Sequence, residues 1–146
     1  MPTKKTVPSL RRFGLPDEYR MEIENIDAEH GLLIDILNES LSSFDGNDRV
    51  KFSDFDRYFR RLWQEMNTHF WHEESEMEQL HYPGFLSHKE HHADVMIRLA
   101  SVRDHAAAQG YVEWSTVEEI FENILGDMLK ADLRFKNFLC QKVGLH

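Results

Sequence analysis

Apolar residues recur at intervals of three and four along most of the chain, the period of helices that bury one face, and no segment alternates in the way a strand would. Ile23, Ile26, His30, Leu33 and Leu37 mark a first helix from about Asp27 to Phe44, stopped by the turn Asp45-Gly46-Asn47-Asp48. Phe52, Phe55, Phe59, Leu62, Met66, His69 and Glu73 form a heptad-like seam on a second helix, from about Ser53 to Leu80, before Tyr82-Pro83-Gly84 breaks the chain. Phe85, His88, His92, Val95, Leu99 and Val102 continue the stepping on a third, from about Leu86 to Gln109, with Gly110 as its stop. A fourth starts at a Ser115 or Thr116 cap, with Glu118 and Glu119 in its first turn. Its stripe is broader: Phe121, Leu125, Met128, Asp132 and Phe135, flanked by Ile120, Ile124, Asp127 and Ala131. Four long helices with short connections predict an all-α, up-down-up-down four-helix bundle over residues 21–146, preceded by an irregular N-terminal arm over 1–20.

The seams carry residues that a core rejects. His30, His69, Glu73, His88, His92 and Asp132 stand at buried positions, with Asp127 close by, and ionisable groups in a core need a partner. The alternating topology also sets their height. His30 lies early in the first helix, His69 and Glu73 late in the second, His88 and His92 early in the third, Asp127 and Asp132 in the second half of the fourth. All seven therefore fall in one layer, roughly 10–15 Å from one end at 1.5 Å per residue. His69 with Glu73, and His88 with His92, are four residues apart, so each pair stacks on one helix face. Imidazole mixed with carboxylate suits iron, manganese or zinc, and this many donors exceed one tetrahedral zinc. Two octahedral ions bridged by carboxylates match the set. The other histidines (His72, His81, His91, His105, His146) read as surface residues, the run Glu74, Glu76, Glu78 as a solvated face, and Trp63, Trp71 and Trp114 as packing.

The bulk numbers narrow the function. The 146 residues make one domain with room for a core, and the net charge of −9 excludes a nucleic-acid binder. Lys4, Lys5, Arg11 and Arg12 form a basic, solubilising start. No apolar stretch reaches the roughly 20 residues that span a bilayer, and no secretory signal is visible. The single Cys140 has no internal disulfide partner and fits a reducing, cytoplasmic setting.

The motifs resemble those of the hemerythrin family, bacteriohemerythrins in particular. They read Ile26-Asp27-Ala28-Glu29-His30, then His69-Phe70-Trp71-His72-Glu73-Glu74-Ser75-Glu76-Met77, then Tyr82-Pro83, His88-Lys89-Glu90-His91-His92, and Asp127-Met128-Leu129-Lys130-Ala131-Asp132. The resemblance covers roughly residues 19–140 and implies a non-haem di-iron protein, oxo- or hydroxo-bridged, that binds O2. It implies that His30 and His69 hold one iron, His88 and His92 the other, and that Glu73 and Asp132 bridge them. The last motif departs from the family, which opens it with a fifth histidine where this chain has Asp127; Asn123 and Phe135 replace a usual Trp and a frequent Tyr. A site of four histidines and three carboxylates follows if Asp127 ligates, directly or through water. An anion in place of a neutral imidazole favours the ferric state, so a lower reduction potential and faster autoxidation are expected. O2 carriage, storage or sensing is the leading function, with an unknown redox partner. A di-iron enzyme reducing O2 or peroxide, an iron or oxygen sensor, and a structural bundle holding zinc or nothing are the rivals.

Overall fold

The computed structural model describes residues 13–14 and 24–143. Four long helical segments are arranged as a bundle. α1 spans Glu24–Ser40 and runs into a 3-10 turn, Leu41–Phe44; α2 spans Phe52–Gln79 and α3 spans Phe85–Gln109. The last is composite: α4 (Trp114–Glu119), a π-helical segment (Ile120–Leu125) and α5 (Gly126–Val143). The helices start and stop within a few residues of the expected positions, because the punctuation is chemical. Asp45 and Gly46 take positive φ after α1, and Gly110 (φ 88°) closes α3 in the left-handed region where only glycine is unstrained. Gly84, at the start of α3, faces the Tyr82 ring, and a Cβ there would lie 2.8 Å from it.

Two short strands, β1 (Arg49–Lys51) and β2 (Tyr111–Glu113), correct the expectation of a strandless fold. They pair antiparallel, Arg49 opposite Glu113, Val50 opposite Val112 and Lys51 opposite Tyr111, and tie the α1–α2 connection to the α3–α4 connection at the end of the bundle far from His30. Three residues are too few for a period to show in sequence. The strands also replace the expected cap. Neither Ser115 nor Thr116 caps the fourth helix: the cap position is Glu113, extended, with no side-chain bond. The first N–H of α4, from Trp114, instead donates to the Asp48 carbonyl, and that of α2, from Phe52, donates to the Gly110 carbonyl, so each connection caps the other's helix.

The main core fills the strand end and middle of the bundle, with Phe44, Phe55, Phe59, Leu62, Met66 and Leu99 buried. A smaller cluster of Ile26, Met77 and Phe135, with Tyr82, Phe85 and Phe138 against it, closes the opposite end. Between the two apolar masses lies a polar layer. Most of the expected arm falls outside the described residues, as do His146 and the basic residues Lys4, Lys5, Arg11 and Arg12. Phe13 is an exception: its ring is buried, 4.3 Å from that of Phe121, and its backbone is held by Asn38. Two of the three tryptophans do not pack as expected. Trp114 is buried, whereas Trp63 and Trp71 are 41% and 68% exposed. Among the described residues no helix is long and apolar enough to cross a membrane.

Candidate metal centre

The polar layer is built by four helices that each bring one or two side chains inward. α1 contributes His30, α2 contributes His69 and Glu73 one turn apart, α3 contributes His88 and His92, and α5 contributes Asp132. All six are buried, Glu73 and Asp132 completely. They fall into two groups with ligand atoms mutually within 4.8 Å: His30, His69, Glu73, Asp132, and Glu73, His88, His92, Asp132.

The two carboxylates divide their oxygens between the histidine pairs. Asp132 places Oδ2 at 2.8 Å from His30 Nε2 and Oδ1 at 2.9 Å from His88 Nε2. Glu73 places Oε1 at 2.7 Å from His88 Nε2 and 3.0 Å from His92 Nε2, while Oε2 lies 3.3 Å from His69 Nε2. Two features of this geometry call for cations. The Nε2 atoms of His30 and His69 face each other at 3.1 Å, so when both are unprotonated two lone pairs point into one space. Glu73 Oε2 is buried without a hydrogen-bond partner. A cation in each group satisfies both, and an imidazole–carboxylate donor set suits iron, manganese or zinc. The residues present therefore fit a two-ion centre.

The tautomers support the same arrangement. His69 Nδ1 lies 3.0 Å from Glu29 Oε1, and His92 Nδ1 lies 2.8 Å from Glu74 Oε2. A proton on Nδ1, donated to these outer carboxylates, turns the Nε2 lone pair inward. His72 bonds the other oxygen of Glu29 and is itself exposed. Sequence reasoning missed Glu29 and Glu74, and placed Glu74 on a solvated face. The usable signal was adjacency: each follows or precedes an inward ligand by one residue, so its stem sits beside the layer.

Without ions the cluster holds its own protons. Burial disfavours a charged His88, but hydrogen bonds to Asp132 and Glu73 outweigh it and raise its pKa to about 9. His69 is likewise raised, against burial, by Asp132, Glu29 and Glu73. Burial works to raise the Asp132 pKa, yet His30, His69 and His88 hold it well below the ordinary aspartate value. Burial and the Asp132 charge push Glu73 up, and His69, His88 and His92 bring it below its ordinary value.

Asp127 does not join the six. Its side chain is 45% exposed and its Oδ2 accepts from Arg98 at 2.8 Å, while the same guanidinium donates to the Asn123 carbonyl at 2.7 Å. The reason is helical phase. Five residues of α-helix turn about 140° away from the starting direction, so Asp127 and Asp132 share a face only if a wider turn lies between them. The π-helical turn comes earlier, at Ile120–Leu125, and α5 is regular from Gly126. The expected third carboxylate ligand is thus a surface ion pair, and Arg98 offsets the charge on which the expected fall in potential rested. His91, expected at the surface, is half-buried, with Nε2 enclosed and unpaired. His81 and His105 are exposed as expected.

A family model, the hemerythrin HHE cation binding domain, matches residues 21–137. No curated protein and no solved structure matches the chain.

Proposed function

The chain belongs to the hemerythrin family of HHE cation-binding domains, and on that premise we propose that it is a cytoplasmic, bacteriohemerythrin-like di-iron protein that binds O2. One observation carries this reading: each of the two buried carboxylates gives one oxygen to His30 or His69 and the other to His88 or His92. In this reading His30 and His69 would hold one iron, His88 and His92 would hold the second, and Glu73 and Asp132, which belong to both groups, would serve both ions. When bound, two ferrous ions supply the two electrons that reversible O2 binding draws on.

The protein's own residues do the rest. Glu29 and Glu74 keep His69 and His92 in the tautomer that points Nε2 inward. Ile26, Met77 and Phe135 on one side and Met66 and Phe70 on the other keep bulk water from the layer, which strengthens every electrostatic contact inside it. Phe70 also stacks on the His92 ring at 3.9 Å and fixes its plane. A cleft that reaches His88 supports a second reading, a redox enzyme that reduces O2 or peroxide, although Asp127, paired with Arg98, does not add the extra carboxylate that would favour it.

Metal analysis of purified protein, with absorption spectra of the reduced form before and after air, tests the proposal. About two irons per chain and a visible band that appears with O2 and disappears on its removal are the expected result. Irreversible oxidation with the same iron content selects the enzyme reading. Iron near zero overturns both.

A further inference from the structure

A cleft of about 360 Å³ opens beside the polar layer, between the start of α3 and the middle of α5. Tyr82, Ser87, His88, His91, Lys130 and Arg134 line it. In a chain of net charge −9, this wall presents two cations, Lys130 and Arg134, against one acid, Asp127. Lys130 and Arg134 stand four residues apart on one face of α5, both exposed, and neither makes an ion pair among the described residues. Like charges at that spacing repel mildly unless an anion lies between them. The acid on this wall, Asp127, is already taken by Arg98.

The other side of the cleft is built to donate. His91 lines it as well, although its Nε2 is enclosed rather than open to the cleft. Tyr82 and Ser87 bring hydroxyl groups. Gly84, the N-cap of α3, and Ser87, in its first turn, line the cleft, and that turn of the 25-residue helix carries no acid, so its N-terminal partial positive charge lies beside the cleft.

We propose that this cleft binds a small oxyanion, phosphate-like in charge and donor demand, held by Lys130 and Arg134 with the hydroxyl groups of Tyr82 and Ser87, beside His88. The site is carried by the cleft's own residues and goes beyond the O2-binding reading. An anion seated there occupies the approach to the His88/His92 side of the centre and tunes what reaches it.

Calorimetric titration of inorganic phosphate into the full-length, metal-loaded protein is the test, with metal content measured before and after. Saturable binding at one site per chain is expected. The double variant Lys130→Gln/Arg134→Gln, altered only at exposed positions, should weaken it by about tenfold or more, and Ser87→Ala by a few-fold at most, with helicity and metal content unchanged. Arg60→Gln, at an exposed cation on α2, should leave it unchanged. Phenyl phosphate serves as a second probe: binding as tight as that of phosphate supports the same site with the anion as the end of a larger molecule, and weaker binding supports a free ion. Absence of saturable heat up to about 10 mM of either probe, or equal affinity in the double variant, overturns the proposal. The readout is heat and not the O2-dependent band, so failure of one reading leaves the other standing.

Discussion

Glu29 and Glu74 should each govern one ion of the centre. Glu29 on α1 holds His69 Nδ1 at 3.0 Å, and Glu74 on α2 holds His92 Nδ1 at 2.8 Å. The two histidines belong to different donor groups, so the outer carboxylates are separable. Removing such a partner typically weakens metal binding 10- to 100-fold, about 1.4–2.7 kcal/mol. Both side chains are only about a fifth exposed, 21% and 22%, so water replaces them poorly. Glutamine keeps an acceptor oxygen but loses the charge, and should fall at the low end, about tenfold; alanine also loses the acceptor and should approach 100-fold. Anaerobic titration of the metal-free protein with ferrous ion, in competition with a chelator, resolves two binding steps. Glu29→Gln should weaken one step and Glu74→Gln the other, each leaving its counterpart within about twofold. Equal weakening of both steps by either variant, or no weakening by both alanine variants, would refute the assignment of one outer carboxylate to one ion.

Asp127→Asn should change the air-oxidation rate of the reduced protein by less than about twofold, because Arg98 already neutralises the charge, and should shift stability by less than about 1 kcal/mol for so exposed a pair; a tenfold slower oxidation would show that the carboxylate acts on the centre after all. The metal-free protein should be most stable between about pH 4.5 and 6.5. The raised His88 contributes fully below its unfolded value of about 6.5 and loses that contribution as pH rises through about 9, whereas the lowered Asp132 and Glu73 contribute above their unfolded values and lose it in acid. Metal affinity should run the other way and rise with pH, since ions displace those protons. Urea melts near pH 5.5 and 9 with and without metal separate the two trends, and parallel trends would contradict the argument. Leu62→Ala, in the middle of the main core and fully buried, should cost about 2–5 kcal/mol in urea unfolding while leaving metal stoichiometry intact; a loss of bound metal at unchanged stability would mean that the core and the centre are not separate layers.

Much of this molecule is legible along the chain because helical period and turn chemistry are local. The seam of α2, from Phe55 through Leu62 and Met66 to His69 and Glu73, announces both a buried face and the ionisable residues on it, and each of these is buried. Gly110 and the Asp45-Gly46 pair stop their helices because the backbone there needs positive φ. Alternating helix direction then brings His30, His69, Glu73, His88, His92 and Asp132 to one height without any contact being known in advance.

What the tertiary structure alone decided is where phase and partners matter. Asp127 looked equivalent to a ligand by spacing, but the π-turn ends at Leu125, before Asp127 rather than between it and Asp132, which leaves Asp127 outside the layer, and Arg98, 29 residues away, claims it. The strands that cap α2 and α4 are too short to have a period, and their hydrogen bonds join connections distant in sequence. Glu29 and Glu74 differ from solvated acids only by what lies across the bundle from them. The enclosed nitrogen of His91, likewise, is a property of its surroundings. A residue's period is written in its neighbours along the chain; its partner and its desolvation depend on which other helix the fold sets against it.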